Sequence, residues 1–374
     1  MKIINFTIAL FLSGSISFSA FAQENTQSEK SFSFGASYTG DNALNTTGGI
    51  KTGYGYLGMA NFKIGFNTEK AGLWPGGLFH LHAVNTHGAS PSADLLGDMQ
   101  VASNIEAGDH TYIQELWLLQ SIGKFEFTLG LQDLNVEFVS SEYGGLFLNS
   151  SFGIMPIISS NISAPIFPLT APGLTARWNI SEKVSWLSAI YDGCPIGFDQ
   201  NPYNLKWDFK KTDGVLGITE IQFNTSINGE PGIYKTGIFT HHHIEVDSLR
   251  KSTSGLYAII DQKIWTQDQK SLGLFAQLGY SPNKTSFNNF YMGFGMNYSG
   301  LFSKKCSDIL GLALAHEHFN DDIPVETAIE LTYQYQLTEN IFLQPDIQYI
   351  INPAGTGETL DNCLAGFLRF GITL

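Results

Sequence analysis

The stretch "ETAIELTYQYQLTENIFLQPDIQYI" (326–350) decides the fold. From Glu326 to Gln336, Glu, Ala, Glu, Thr, Gln and Gln alternate with Thr, Ile, Leu, Tyr and Tyr. Past the Thr-Glu-Asn turn, Gln344, Asp346 and Gln348 alternate with Leu343, Pro345, Ile347 and Tyr349. A period of two puts one class of side chain on each face of a strand, so the segment reads as a hairpin with a polar and an apolar face. In a soluble sheet the apolar face would meet a core. In a membrane barrel it meets lipid, and the polar face lines an aqueous lumen.

Composition chooses between them. The 374 residues include 39 Gly, are 13% aromatic and only 14% charged, against roughly 25% charged in soluble proteins. A formal net charge of -14 excludes a nucleic-acid partner, which needs basic patches. Cys194, Cys306 and Cys363 are far apart and odd in number, so they form neither a disulfide framework nor a CxxC zinc site. At the N-terminus, Lys2, the apolar run "IINFTIALFLSGSISF" and "AFA" ending at Ala22 make residues 1–22 a signal peptide. Residues 23–30, "QENTQSEK", read as a flexible lead-in, and 31–374 as a single barrel domain. No later segment reaches the roughly 18 uninterrupted apolar residues of a membrane helix.

Strands recur along the rest of the chain. "NFKIGF" (61–66), "FEFTLGLQ" (125–132), "GLTARWN" (173–179), "YKTGIFTH" (234–241) and "LRFGITL" (368–374) all alternate. About sixteen such segments predict an all-β fold, a transmembrane antiparallel β-barrel. Their connections differ by parity. Short turns at 121–124, 179–183, 266–271 and 337–340 lie on one side, and long loops at 88–108, 134–172 and 193–211 on the other. That asymmetry fits the outer membrane of a Gram-negative bacterium, with lipid and lipopolysaccharide around the barrel. Closure satisfies every backbone group where no water is available. Pro345 cannot donate to a ladder and predicts a bulge. Leu368, Phe370, Ile372 and Leu374 share the lipid-facing side of the last strand.

Extending each alternation puts Lys63, His80, His82, Glu126, Gln132, Arg177, Glu220, Gln222, Lys235, Asp261, Glu326, Glu330, Asp346, Gln348 and Arg369 on the lumen face. Among these, Arg177, Glu220, Lys235, Asp261, Glu326, Glu330, Asp346, Gln348 and Arg369 are the candidate solute contacts. Their charged and amide groups can replace part of a sugar's hydration, weakly enough to release it. Glu326, Glu330, Asp346 and Gln348 share one hairpin and can touch one solute together, with Arg369 on the next strand as the cation between the carboxylates. Carboxylates modestly outnumber cations, which predicts weak cation preference.

The 134–172 connection is too long and too apolar for a plain surface link. It either folds into the barrel and narrows it, bringing Glu137, Glu142 and Asn149, or packs over the mouth; the inward-folded form is the expectation. Loop 193–211 carries Phe198, Tyr203 and Trp207 amid Asp199, Asn201, Asn204 and Asp208, suited to stacking on sugar C–H faces or to forming an aromatic girdle.

Catalytic patterns are weak. "GYGYLG" (53–58) matches a dinucleotide fingerprint as a string, yet it sits inside an alternating strand with no helix after it. GxSxG, Walker A and HExxH are absent from the sequence. "HHH" (241–243) and "HEH" (316–318) place i and i+2 on one strand face; solvated histidines at strand ends are the simpler reading, so neither a metal nor a cofactor is assigned.

Four motifs together resemble the carbohydrate-selective porin family of the OprB type. They are "TEKAGLWPGG" (68–77), "LGLQDLNVEFVSSEYGGLFLNSSFGIMP" (129–156), "YDGCP" (191–195) and "LQPDIQYIINPAG" (343–355). The resemblance covers the chain from about Phe62 to Leu374. It implies a sixteen-stranded outer-membrane porin passing glucose-like sugars, each chain its own pore even if several associate. Leu131 replaces the family's frequent basic residue before "QDLN", and Ala354 the second glycine of "NPGG". The competing function is a barrel enzyme or surface-binding barrel with no open pore.

Overall fold

The computed structural model describes residues 30–210, 213–244, 250–268, 270–283, 286–302, 308–320 and 324–374. The signal peptide, residues 23–29 of the lead-in and Cys306 lie outside the described residues. Among these residues sixteen strands form a closed antiparallel barrel in which each pairs with its sequence neighbours and the last pairs with the first. They are β1 (Phe32–Thr47), β2 (Gly53–Asn67), β3 (Gly77–Gly88), β4 (His110–Ile122), β5 (Phe125–Gln132), β6 (Ala171–Asn179), β7 (Val184–Asp192) and β8 (Val215–Ile227). There follow β9 (Glu230–Ile244), β10 (Arg250–Gln267), β11 (Lys270–Tyr280), β12 (Asn288–Ser299), β13 (Asp308–Phe319), β14 (Glu326–Gln336), β15 (Ile341–Ile351) and β16 (Cys363–Thr373). The "GYGYLG" string lies within β2, so it forms no phosphate-binding turn.

Alternation sorts the two faces as their chemistry requires. In the opening hairpin Glu326, Ala328, Glu330, Thr332 and Gln334 are buried inside, while Leu331, Tyr335, Ile347 and Tyr349 are exposed outside. Similar outward apolar residues, among them Leu129, Leu174, Ile190, Ile238, Leu278 and Leu368, make the lipid belt. At the short-turn rim aromatic rings touch across strands: Phe32 with Phe66 at 4.7 Å, Phe125 with Trp178 at 5.7 Å, and Trp265 with Tyr298 at 6.2 Å. Rings of this kind suit the level between lipid tails and water. Pro345 makes no bulge. Pairing between β14 and β15 lapses after Thr332↔Asp346 and resumes at Tyr335↔Leu343 in the same register. A side-chain bond from Gln334 Nε2 to Gln344 Oε1 (3.1 Å) bridges the gap.

The seam where the barrel closes carries a buried ion pair. Asp41 on β1 stands opposite Arg369 on β16. Arg369 grips it with Nε–Oδ1 at 2.7 Å and Nη2–Oδ2 at 2.8 Å. This corrects the expected partnership of Arg369 with Glu330 and Asp346. Planar guanidinium prefers a carboxylate that it can meet with two parallel bonds, and Asp41 is the one directly across the ladder.

The lumen is largely filled by its own loops. Residues 133–170 fold inward through two short helices, α1 (Leu134–Glu137) and α2 (Pro156–Ser159). Phe138, Val139, Leu148, Phe152, Met155, Ile157 and Ile158 become fully buried against inward Tyr191, Tyr257, Ile259, Phe275 and Tyr291. Glycines on the wall make room. A Cβ at Gly311 would stand 2.7 Å from Leu146 and 2.9 Å from Phe147, and one at Gly279 would stand 2.7 Å from Ile157. The 89–109 loop also folds in, which the sequence did not announce. It docks on the larger loop through Asn104 N to Leu148 O (2.8 Å) and Ser150 N to Val101 O (2.9 Å).

Two substitutions separate the lipid belt from the closing seam. Leu331→Lys should cost about 2–4 kcal/mol by putting charge in lipid. Asp41→Asn should cost on the order of 3–5 kcal/mol by leaving Arg369 unpaired. Both should lower the guanidinium midpoint of the refolded barrel, while Glu339→Lys in an exposed turn should leave it nearly unchanged. Harmless lysine at 331 would invert the facing.

Candidate pore constriction

Inside the barrel, strand carboxylates meet backbone amides of the inward loops. Asp261 accepts from Ser141 Oγ at 2.7 Å, Tyr143 N at 3.0 Å and Glu142 N at 3.1 Å. Glu330 accepts from the amides of Leu148 (2.6 Å) and Asn149 (3.0 Å). Glu220 takes the Val139 amide at 2.9 Å and the Tyr257 hydroxyl at 2.8 Å. Glu326 takes the amides of Met99, Gln100 and Ala354 at 2.9, 2.9 and 2.7 Å. Gln348 donates to Ala102 O at 2.8 Å and accepts from Asn149 Nδ2 at 3.3 Å. Buried loop amides need partners, and a carboxylate can accept several such bonds at once.

The sequence expects these groups on a wet wall. Glu220, Asp261, Glu326, Glu330, Asp346 and Gln348 are instead no more than 2% exposed. Alternation fixes the face a side chain occupies but not what lies over it. Asn149 is buried with them, its Oδ1 accepting from Ser151 N at 3.0 Å. Gln132 is also committed, donating to Gly173 O at 2.7 Å and accepting from Thr175 Oγ1 at 2.8 Å.

Inward side chains on β5, β6 and β9 stay wetter. Arg177 on β6 forms an ion pair with Glu137 of α1, and its Nε lies 3.7 Å from Glu126 Oε2 on β5. Its Nη1 also reaches Gln222 Oε1 at 3.5 Å. The side chains of Arg177 and Glu126 keep 21% and 32% of their surface open. Lys235 on β9, half-buried, donates to the carbonyl and hydroxyl of Ser140 at 2.6 and 2.9 Å. Glu142 is exposed and Lys63 is half-buried. Asp133 positions α1: its Oδ1 caps Asn135 N at 2.9 Å and its Oδ2 accepts Phe167 N at 3.1 Å, tying the two ends of the loop together. Cationic N–H donors and carboxylate acceptors therefore lie together on this part of the lumen wall, groups able to hydrogen-bond a neutral polyol.

At the mouth, Phe198 stacks on His110 at 3.9 Å and leans on Tyr112 at 4.7 Å. Asn204 is tied to Thr170 Oγ1 at 2.7 Å. Phe198, Asn201 and Asn204 thus hold the 193–211 loop, while Tyr203 and Trp207 remain exposed. The side chain of His243 lies outside the described residues, and "HEH" gathers no three ligands among them. His316 and His318 bond Thr327 and Asn289 on the outer surface, whereas Glu317 points inward. Sequence reasoning missed Asp41, Glu115 and Tyr257, and placed Gln344 on the polar face without naming it a contact. Asp41 and Gln344 sit at lumen parity and were readable; Tyr257 was hidden by the assumption that inward residues are polar.

The model of the carbohydrate-selective porin, OprB family, matches residues 51–374. Porin B of Pseudomonas aeruginosa is 24% identical over an alignment of 412 positions, covering 91% of this chain and 87% of that protein. The high-pH structure of Pseudomonas putida OprB superposes with a TM-score of 0.83 at 20% identity, over 96% of this chain and 97% of that one. The low-pH structure of the same protein gives 0.63 at 17% identity, over 97% and 100%. The closed sixteen-strand barrel is therefore the architecture of that solved porin, and with a family match across all but the first strand, the chain belongs to the carbohydrate-selective porins of the OprB family.

Proposed function

We propose that the chain is a passive diffusion channel in the outer membrane of a Gram-negative bacterium, admitting glucose-like monosaccharides to the periplasm without cofactor or catalysis. The observation that carries this reading is the set of partly open charges Arg177, Lys235, Glu126 and Glu142, with Glu137 largely buried against Arg177, in a lumen largely filled by its loops. The sealed carboxylates seat the constriction and the open ones meet the solute. Weak, multiple hydrogen bonds favour entry without trapping, as conduction requires. The exposed Tyr203 and Trp207 supply apolar faces at the entrance.

Three outcomes follow from this division of labour. Purified protein should swell glucose-loaded liposomes, and Arg177→Ala should weaken sugar block of ion current about tenfold, the worth of one charge-assisted hydrogen bond. Swelling by no sugar, together with a silent planar bilayer, would favour a non-conducting barrel. Gly311→Leu should unseat Leu146 and Phe147 and raise single-channel conductance; unchanged conductance in a folded variant would put the loop outside the conduction path. The third outcome concerns pH. Burial pushes Asp98 up to about 6, and Glu106 and Asp133 up to about 7. A raised carboxyl makes the seated loop bind protons more tightly than the free chain does. Its stabilisation is complete below about pH 4 and lost as pH rises through about 6 to 7. Conductance should accordingly be lower and quieter at pH 4.5 than at pH 8, and the reverse order would contradict the assignment.

A further inference from the structure

At the β3–β4 seam, away from the constriction, three inward side chains converge. His80 and His82 are two apart on β3 and share its lumen face, with ring centroids 6.3 Å apart. Glu115 on β4 is paired in register with His82. The ladder then skips Gln114 and resumes at Ala83↔Ile113, a bulge of the kind that re-aims a side chain. His80 Nε2 lies 3.7 Å and His82 Nδ1 3.5 Å from the same oxygen, Glu115 Oε2. The three ligand atoms all fall within 4.8 Å of one another. These gaps exceed good hydrogen-bond lengths of about 2.7–3.2 Å. The two histidine–Glu115 distances match the roughly 3.3–3.7 Å between two ligands that share an ion through bonds of about 2.0–2.2 Å.

The far sides of His82 and Glu115 are already held. His82 Nε2 meets Asn61 Oδ1 at 2.8 Å, and Asn61 Nδ2 reaches Ser37 Oγ at 3.3 Å, which turns the amide oxygen toward the ring. His82 therefore carries its proton on Nε2 and presents the Nδ1 lone pair to Glu115. Trp117 Nε1 donates to Glu115 Oε1 at 3.1 Å, leaving Oε2 for the histidines. The His80 ring stacks on Trp117 with centroids 4.5 Å apart. Outer partners that fix tautomer and orientation in this way are characteristic of metal sites.

We propose that His80, His82 and Glu115 bind one divalent transition-metal ion of the zinc class, bridging β3 and β4 in the lumen wall. Two imidazoles and a carboxylate are borderline donors that favour Zn²⁺ or Cu²⁺ over Ca²⁺ and Mg²⁺. His82, with 12% of its side chain open against 4% for His80, marks the side from which ion and water enter. Lys63, in register with His82 on β2, sets a cation at that edge and moderates the affinity. The bound ion changes the cluster from net negative to net positive and shifts the field along the lumen.

Isothermal titration of folded, tag-free protein with ZnCl₂ tests this. One Zn²⁺ should bind per chain, with His82→Gln and Glu115→Gln each weakening it at least about tenfold. The outer-surface pair His316→Gln/His318→Gln should bind as the wild type does. Retained heat-modifiable mobility verifies folding, and His80→Gln replaces any variant that misfolds. Zinc should also move the reversal potential toward anions in the wild type and the outer-surface pair, but not in the ligand variants. Absence of a stoichiometric site, or equal binding by the ligand variants, overturns the proposal.

Discussion

A loop folded into a barrel carries backbone amides into a place where water cannot reach them all, and the wall must supply their partners. That constraint organises the lumen. Asp261, Glu330, Glu220 and Glu326 each present a carboxylate where loop amides arrive. Gln277, Gln344 and Gln348 cover loop carbonyls that would otherwise lack donors. Burying a carboxylate is costly, but a cluster of aimed N–H groups offsets much of that cost. The apolar body of the loop then packs on tyrosine, phenylalanine and glycine, so the lumen has a hydrophobic core as well as a polar lining.

The seat is uneven around the barrel. The large loop is fastened mainly over β8 and β10 to β15, where inward side chains are sealed. On β5, β6 and β9 the inward charges keep partial contact with water. Glu137 is the hinge between these regimes, since it belongs to the loop but pairs with Arg177 on the open wall. Holding Arg177 from one side with Glu137 and from another with Glu126 limits its swing.

The barrel was legible because period-two alternation and short-against-long connections both report directly on strand pairing in lipid. Glu330 and Asp346 were placed on the correct face for that reason. Their burial was not legible. It depends on which loop residues settle above them, and no local pattern in 326–350 encodes a partner near residue 148. The apolar composition of 144–168 hinted at the inward fold, but the smaller 89–109 loop gave no comparable signal. Pro345 misled because a missing donor suggests a bulge. In the barrel, an outward proline loses pairs locally, and the Gln334–Gln344 bond keeps the register without an extra residue.

Closure and constriction are physically one network. Arg369 holds Asp41 across the seam and also donates from Nη2 to Asn104 Oδ1 at 2.8 Å. Asp41 in turn accepts from Ser103 Oγ at 2.7 Å. Ser103 and Asn104 belong to the smaller loop, and Asn104 N bonds Leu148 O of the larger one. The neighbouring amide, Leu148 N, is the one that Glu330 accepts. A continuous path of hydrogen bonds therefore runs from the joint between first and last strands to the centre of the pore. Until β16 pairs with β1, Asp41 and Arg369 are apart and the smaller loop has no ionic platform to settle on. The larger loop then lacks one of its two walls. The seam and the two loops are thus joined by hydrogen bonds, so a change at Asp41 or Arg369 bears directly on how Ser103 and Asn104 sit.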